Sequence, residues 1–119
     1  YIETDNSKNN RGGVVLFVGI SDVSFFVKPN SVIDREALKR GNSTYFPDKV
    51  IPMLPEDLSN NLCSLKENSP KKAVVVKMHL DHRGYKIKHE FIRGIITVKK
   101  NYTYETFETY LSDNETKKK

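Results

Sequence analysis

Apolar positions along this chain fall into short runs, each with its own period. Val14–Ile20 ("VVLFVGI") is β-branched and almost wholly apolar, which predicts a strand buried on both faces. Tyr1–Thr4 reads as a strand before it, and Asp5–Gly13 ("DNSKNNRGG") as a turn cluster punctuated by Gly12 and Gly13. Ser24–Val27 ("SFFV") predicts a second short extended piece that stops before Pro29. "SVIDREALKRG" then switches to a helical period. Ser31 is placed to cap it, Asp34 completes a capping-box spacing, and Glu36 stands four residues ahead of Arg40. Gly41 supplies a left-handed stop, and Ile33 and Ala37 share the face expected to be buried.

The next stretch, Gly41–Leu65 ("GNSTYFPDKVIPMLPEDLSNNLCSL"), keeps neither period. Pro47, Pro52 and Pro55 lack an N–H and fix φ, so no regular ladder passes through them. Glu56 and Asp57, following Pro55, suit the first turn of a short helix. Two strand patterns follow, Lys72–Leu80 and Tyr85–Val98, joined by the turn signal "DHRG" at Asp81–Gly84. The apolar phase changes at Gly94, which predicts a bulge there. Tyr104, Phe107 and Leu111 recur at helical spacing, so the tail is expected to be a helix. The elements add up to an α+β chain: a mostly antiparallel sheet with one capped helix and a proline-braced loop.

Composition narrows the class. The chain has 119 residues, 37% of them hydrophobic and 29% charged, with no Trp, which allows one domain with a modest core. Its formal charge of +5 favours a polyanionic partner or a solvated basic surface. The single cysteine, Cys63, excludes an internal disulfide framework and fits a reduced, cytoplasmic compartment. No apolar run is long enough to cross a bilayer, and no signal peptide is evident. In a cytoplasmic setting the Asn-x-Ser/Thr triplets at Asn42, Asn101 and Asn114 are chance matches. The start at Tyr1, inside a strand, and the finish in Lys117–Lys119 without a closing element read as cuts in a larger protein.

Candidate chemistry is sparse. His79, Asp81 and His82 form a tempting metal cluster, but strand geometry sends positions 79 and 82 to opposite faces and leaves Asp81 in the turn, so surface histidines are expected. His89, between Lys88 and Glu90, reads as solvent-facing. Cys63, flanked by Leu62 and close to Leu65, reads as a small buried hydrophobe and not a nucleophile. No phosphate-binding glycine loop, nucleophile elbow or cysteine pair occurs. Asp22, at the end of the apolar strand, is either a capping or turn residue or a residue facing an active site. No second carboxylate accompanies it at useful spacing, so these residues make no complete catalytic set and no metal site of their own.

One resemblance changes the picture. "VGISDVS" (Val18–Ser24), "IDREALKRG" (Ile33–Gly41) and "YFP", "VIPMLPE" and "LSNNLCSL" (within Tyr45–Leu65) resemble, in type and spacing, the catalytic (RNB) domain of the ribonuclease II/ribonuclease R family, on its bacterial ribonuclease R side. "KAVVVKMHLDHRGYKIKHEFIRGII" and "NYTYETFETYL" continue the pattern more loosely, so the likeness runs from about Val14 to Leu111. It implies part of a processive, hydrolytic 3′-to-5′ exoribonuclease that threads single-stranded RNA into a channel and releases nucleoside monophosphates. It implies Mg²⁺ held by aspartates of an Asp-x-Asp-Asp-Ala-like motif, which in the family lies just before the strand begun by Tyr1–Thr4 and is absent here. Residues 1–119 are then a partial RNB domain, cut at both ends, that binds no Mg²⁺ and is inactive by itself. Its partners would be the rest of that domain and flanking RNA-binding domains. Tyr45 matches a family tyrosine that stacks on a base near the RNA 3′ end; the alternative is that it packs with Phe46 and Leu54. Two rivals stand beside this reading: a non-catalytic RNA-binding module or split subunit, and a structural domain whose charge only aids solubility.

Overall fold

The computed structural model describes residues 1–116, and the side chains of residues 1–112. The lysine run Lys117–Lys119 lies outside the described residues. Four antiparallel strands form one sheet in the order β1 (Ile2–Thr4), β2 (Val14–Ser21), β5 (Pro70–Leu80), β6 (Lys86–Thr97). Between β2 and β5 the chain leaves the sheet to form α1 (Val23–Phe26), α2 (Val32–Arg40), a two-residue hairpin of β3 (Thr44–Tyr45) with β4 (Val50–Ile51), and a π-type helical segment at Asp57–Leu62. The last helix, α3, is Tyr104–Thr116. This is the expected α+β arrangement with a mostly antiparallel sheet.

Several local readings hold for the reasons expected. Ser31 caps α2 by accepting a hydrogen bond from the Asp34 N–H. Asp34 reaches back one residue further than a regular capping box and accepts from the Asn30 N–H. Gly41 ends α2 at φ 75°, a conformation that glycine adopts without a Cβ penalty. Glu36 and Arg40 pair at 3.0 Å, and Ala37 is buried. In the β5–β6 turn, one Asp81 oxygen accepts from the N–H groups of Arg83 and Tyr85. Thr103 caps α3, its hydroxyl accepting from the Thr106 N–H.

Three expectations are corrected. Ser24–Val27 is not extended. Asp22 caps a helical turn through it, and this local hydrogen bond outweighs the strand preference of two phenylalanines and a valine. β2 is not buried on both faces. Val18 and Ile20 are 43% and 62% exposed, because among the described residues no helix packs broadly over that side of the sheet. Gly94 is not a bulge. It stands in register opposite Ala73, and the irregularity lies at His79/Leu80, where β6 fits one extra residue, Ile87, between partners. The prolines interrupt regular structure as expected: the short two-pair ladder avoids them, with Pro47 in the hairpin turn and Pro52 following its last residue.

Small side chains stand side by side where β2, β5 and β6 meet at the Ser21 end. Ala73 on β5 is fully buried between Ser21 on β2 and Gly94 on β6. At the edge of this zone the Ser21 hydroxyl donates to the Cys63 carbonyl, and Lys71 Nζ donates to the Asn61 carbonyl at 2.6 Å. The segment after the π-type turn is thereby fastened to the end of β2 and β5.

The α2 cap is testable. Ser31→Ala removes the acceptor for the Asp34 N–H and should lower stability by about 0.5–2 kcal/mol, whereas Ser31→Gly should cost only a few tenths. Urea-unfolding midpoints for the two variants and the parent measure this, and equal midpoints for all three would show that Ser31 contributes no cap.

Candidate active-site wall and its anchors

Asp22 follows the last residue of β2 and continues its ladder, its N–H donating to the Lys72 carbonyl at 3.0 Å. The register carries Ile20 across to Val74 and on to Arg93, so Arg93 projects from the same sheet face on which Asp22 emerges. The two side chains meet in a bidentate pair: Arg93 Nε donates to Asp22 Oδ2 and Nη2 to Oδ1, each at 2.8 Å. Ser24 Oγ donates to Oδ1 at 2.7 Å, and the Phe25 N–H donates to the same oxygen. Asp22 is only 4% exposed, yet both of its oxygens are occupied by donors. The Ser24 hydrogen bond is the largest cause holding its carboxyl below the ordinary value of 3.8; burial opposes this, and Arg93 adds to it. The capping reading of Asp22 is therefore met, together with an ion pair that sequence alone did not suggest.

Lys72 Nζ lies 3.9 Å from the centre of the Phe25 ring and Lys28 Nζ 5.4 Å from it. Asp22, Phe25, Lys72, Arg93, Gly94 and Ile95 line a small cleft of about 170 Å³. Its surface is cationic and aromatic, with the one carboxylate already neutralised.

Tyr45 is presented separately. The β3–β4 hairpin pairs Tyr45 with Val50 and closes with the Phe46 N–H donating to the Lys49 carbonyl at 2.8 Å. Arg40 Nη1 donates to the Pro52 carbonyl, which ties the hairpin to the end of α2, and the Met53 N–H donates to Ser43 Oγ, which joins the two ends of the hairpin to each other. The Tyr45 ring is 77% exposed, while Leu54 is half-buried.

A second buried carboxylate escaped the sequence reading. Asp5, in the β1–β2 loop, accepts from Asn10 Nδ2 at 2.8 Å and from the Ser7 N–H, and it meets His79 Nδ1 at 2.7 Å. The Asn10 hydrogen bond first, then that of His79, hold the Asp5 carboxyl far below the usual range. His79 is thus not the free surface histidine expected; it is largely buried and joined to a residue 74 positions away. His82 and His89 are exposed, and Asp81 is occupied by the turn. Cys63 is buried, and that burial pushes its thiol up, as suits a small core residue. Neither Asp22–Arg93 nor Asp5–His79 carries a short-range signal, because only the β2–β5–β6 register and the folding-back of the loop bring the partners together.

The residues present do not fit a Mg²⁺ site. Mg²⁺ takes oxygen ligands in near-octahedral order. The two buried carboxylates have their oxygens engaged by nitrogen and hydroxyl donors, and among the described residues no three His, Cys, Asp or Glu side chains converge.

The antiparallel sheet thus carries a helical and hairpin excursion whose rim presents a neutralised aspartate, cations and the exposed Tyr45 ring. The RNB domain family matches residues 2–119, and the chain belongs to that family. It is 45% identical over 108 residues to ribonuclease R of Chlamydia trachomatis, covering 91% of this chain and 16% of that protein. It is 43% identical to ribonuclease R of Buchnera aphidicola, covering 88% of this chain and 14% of that protein. Among solved structures, ribonuclease R of Mycoplasma genitalium in complex with ribose-methylated single-stranded RNA superimposes with a TM-score of 0.87 at 35% identity, covering 96% of this chain and 17% of that one. Yeast Ssd1, described as a pseudonuclease, shares the fold at a TM-score of 0.77 and 24% identity, covering 88% of this chain and 13% of that one. The chain therefore spans roughly a sixth of the length of the ribonuclease R proteins it matches.

The buried carboxylates set an acid limit. Asp22 and Asp5 both have folded values below their ordinary 3.8, so their ionised forms stabilise the fold fully above that value. That contribution is lost as pH falls through the depressed folded values. The urea midpoint should hold steady down to about pH 4 and decline below it, and Asp22→Asn should flatten the decline. A midpoint independent of pH between 5 and 2 would contradict the assignment.

Proposed function

We propose that this chain forms one wall of the RNA channel in a ribonuclease R-type, processive 3′-to-5′ exoribonuclease that acts on single-stranded and structured RNA in the cytoplasm and releases nucleoside monophosphates. The observation that carries this reading is Tyr45: an exposed aromatic ring on a proline-containing hairpin braced by Arg40 and Ser43. A ring presented in this way grips any base through its π face, as sequence-blind degradation requires. Pro47 in the hairpin turn and Pro52 just after it restrict the unfolded alternatives and lower the entropy lost on holding the ring out. Support comes from the ribonuclease R relatives and from the Mycoplasma genitalium structure with single-stranded RNA. In this reading Asp22 stands near the active site as an anchor: it ties α1 and β6 to the end of β2 and takes no part in the chemistry. Mg²⁺ is held by aspartates outside these residues, and hydrolysis belongs to the assembled catalytic domain with its flanking RNA-binding domains.

Residues 1–119 as a separate polypeptide should release no mononucleotide from labelled poly(A) with Mg²⁺, because both buried carboxylates are already engaged. EDTA-sensitive release by pure material would overturn this, and would mean that these residues assemble a metal site.

In the full-length enzyme, Tyr45→Ala should weaken the hold on short RNA by about 1–3 kcal/mol, roughly 5- to 150-fold, and should lengthen the final undigested product. Tyr45→Phe keeps the π face and should match the parent. Long RNA, held at many other points, should be degraded at nearly the parental rate. The product lengths on a sequencing gel decide it: an alanine variant that stops at the parental length would make Tyr45 a packing residue.

A further inference from the structure

The sheet has two ends, and the wall just described occupies one of them. The excursion from Asp22 to Ser69 leaves and rejoins the sheet at the Ser21 end of β2. At the Val14 end lie the β1–β2 loop, residues 5–13, and the β5–β6 turn at residues 81–85. The eight residues of β2 separate the two ends by about 23 Å at the rise of an extended strand.

The two loops touch. A Cβ placed on Gly12 would sit 3.6 Å from the His82 Cβ. Arg11 and Arg83 flank this contact, and Lys8 and Lys86 lie close by in sequence; all four are exposed. Among the described residues none of the four makes an ion pair. The carboxylates of this region are otherwise engaged. Asp5 is buried against His79 and Asn10, and Asp81 accepts the N–H groups of its own turn. The loop itself is held firmly: Asn10 Nδ2 donates to the Leu80 carbonyl, and the Asp5 N–H donates to the Gly13 carbonyl. The two loops that carry these cations are thus held against each other by hydrogen bonds beneath them. Beside Arg83, the Tyr85 ring is 70% exposed while its backbone is fixed by Asp81.

We propose that this tip, formed by Lys8, Arg11, Arg83, Lys86 and the Tyr85 ring, is a second RNA contact that holds backbone phosphates of the substrate well away from the Tyr45 wall. Cations without partners gain by releasing counterions from a phosphate chain. An exposed aromatic ring standing between Arg83 and Lys86 in the chain favours a nucleic acid over an acidic peptide, because it offers a stacking face to a base. The proposal rests on the RNA-channel reading for its substrate class, but it concerns different residues at the opposite end of the sheet.

The test is the salt dependence of RNA binding by the full-length protein, comparing the parent with the Arg11→Gln/Arg83→Gln double variant. Two RNAs are used, one long and one too short to span the sheet. For long single-stranded RNA, the slope of log affinity against log salt should become shallower by about 1.4 in the double variant. Short RNA should bind both proteins alike. Thermal melting should also agree, since neither side chain makes an ion pair. An unchanged slope with long RNA overturns the proposal, as does equal weakening of short and long RNA. Loss of binding to polyglutamate with RNA binding intact would assign the tip to an acidic protein and overturn it as well. Tyr45→Ala, run in parallel with short RNA, tests the channel reading separately: it can fail while the double variant still shows the long-RNA effect, and the reverse.

Discussion

The Asp22 carboxylate is the constraint around which the functional end of this chain is arranged. It sits where β2 stops, is almost fully out of water, and receives hydrogen bonds from Ser24, Phe25 and Arg93. A buried carboxylate without such donors would be costly, so the sequence around it must turn to supply them. That turn is α1, which breaks the extended path suggested by "SFFV" and directs the chain away from the sheet. Arg93 then locks β6 to the same point, so strand register, helix start and exit direction share one ion pair.

The rest of the wall follows from that exit. α2 carries its own punctuation, Ser31 at one end and Gly41 at the other, and needs little from elsewhere. Arg40, in its last turn, bonds to Pro52 across the hairpin, which sets the place of Tyr45 relative to the helix. The return path is secured at Ser21 and Lys71, beside the fully buried Ala73. Gly94 stands opposite Ala73 in the β5–β6 register. The apolar residues left open on the sheet, Phe91 and Ile95 among them, suit a chain that makes up about a sixth of the length of its ribonuclease R relatives.

The two ends of the sheet use the same device for different purposes. At one end Asp22 neutralises part of the charge of Arg93 and leaves an aromatic and cationic rim. At the other, Asp5 and Asn10 fasten a loop whose lysine and arginine side chains stay unpaired. In both cases a buried acid organises backbone and basic residues, and neither acid is available to bind a metal.

Local chemistry was legible from the chain alone. The α2 helix, its caps, the Asp81–Gly84 turn, the long strands and the α3 helix all follow from interactions within a few residues, where capping, turn geometry and side-chain period decide the outcome. The family could be recognised for a related reason: its pattern lies in closely spaced segments such as "VGISDVS" and "VIPMLPE". What only the tertiary structure decided was every pairing across distance. Arg93 reaches Asp22 over 71 positions and His79 reaches Asp5 over 74, and no periodicity encodes either. The same holds for the bulge at Ile87 rather than Gly94, and for the exposure of Val18 and Ile20. Strand register and the covering of a sheet face depend on which elements meet, and a residue's own neighbours in sequence carry no record of that.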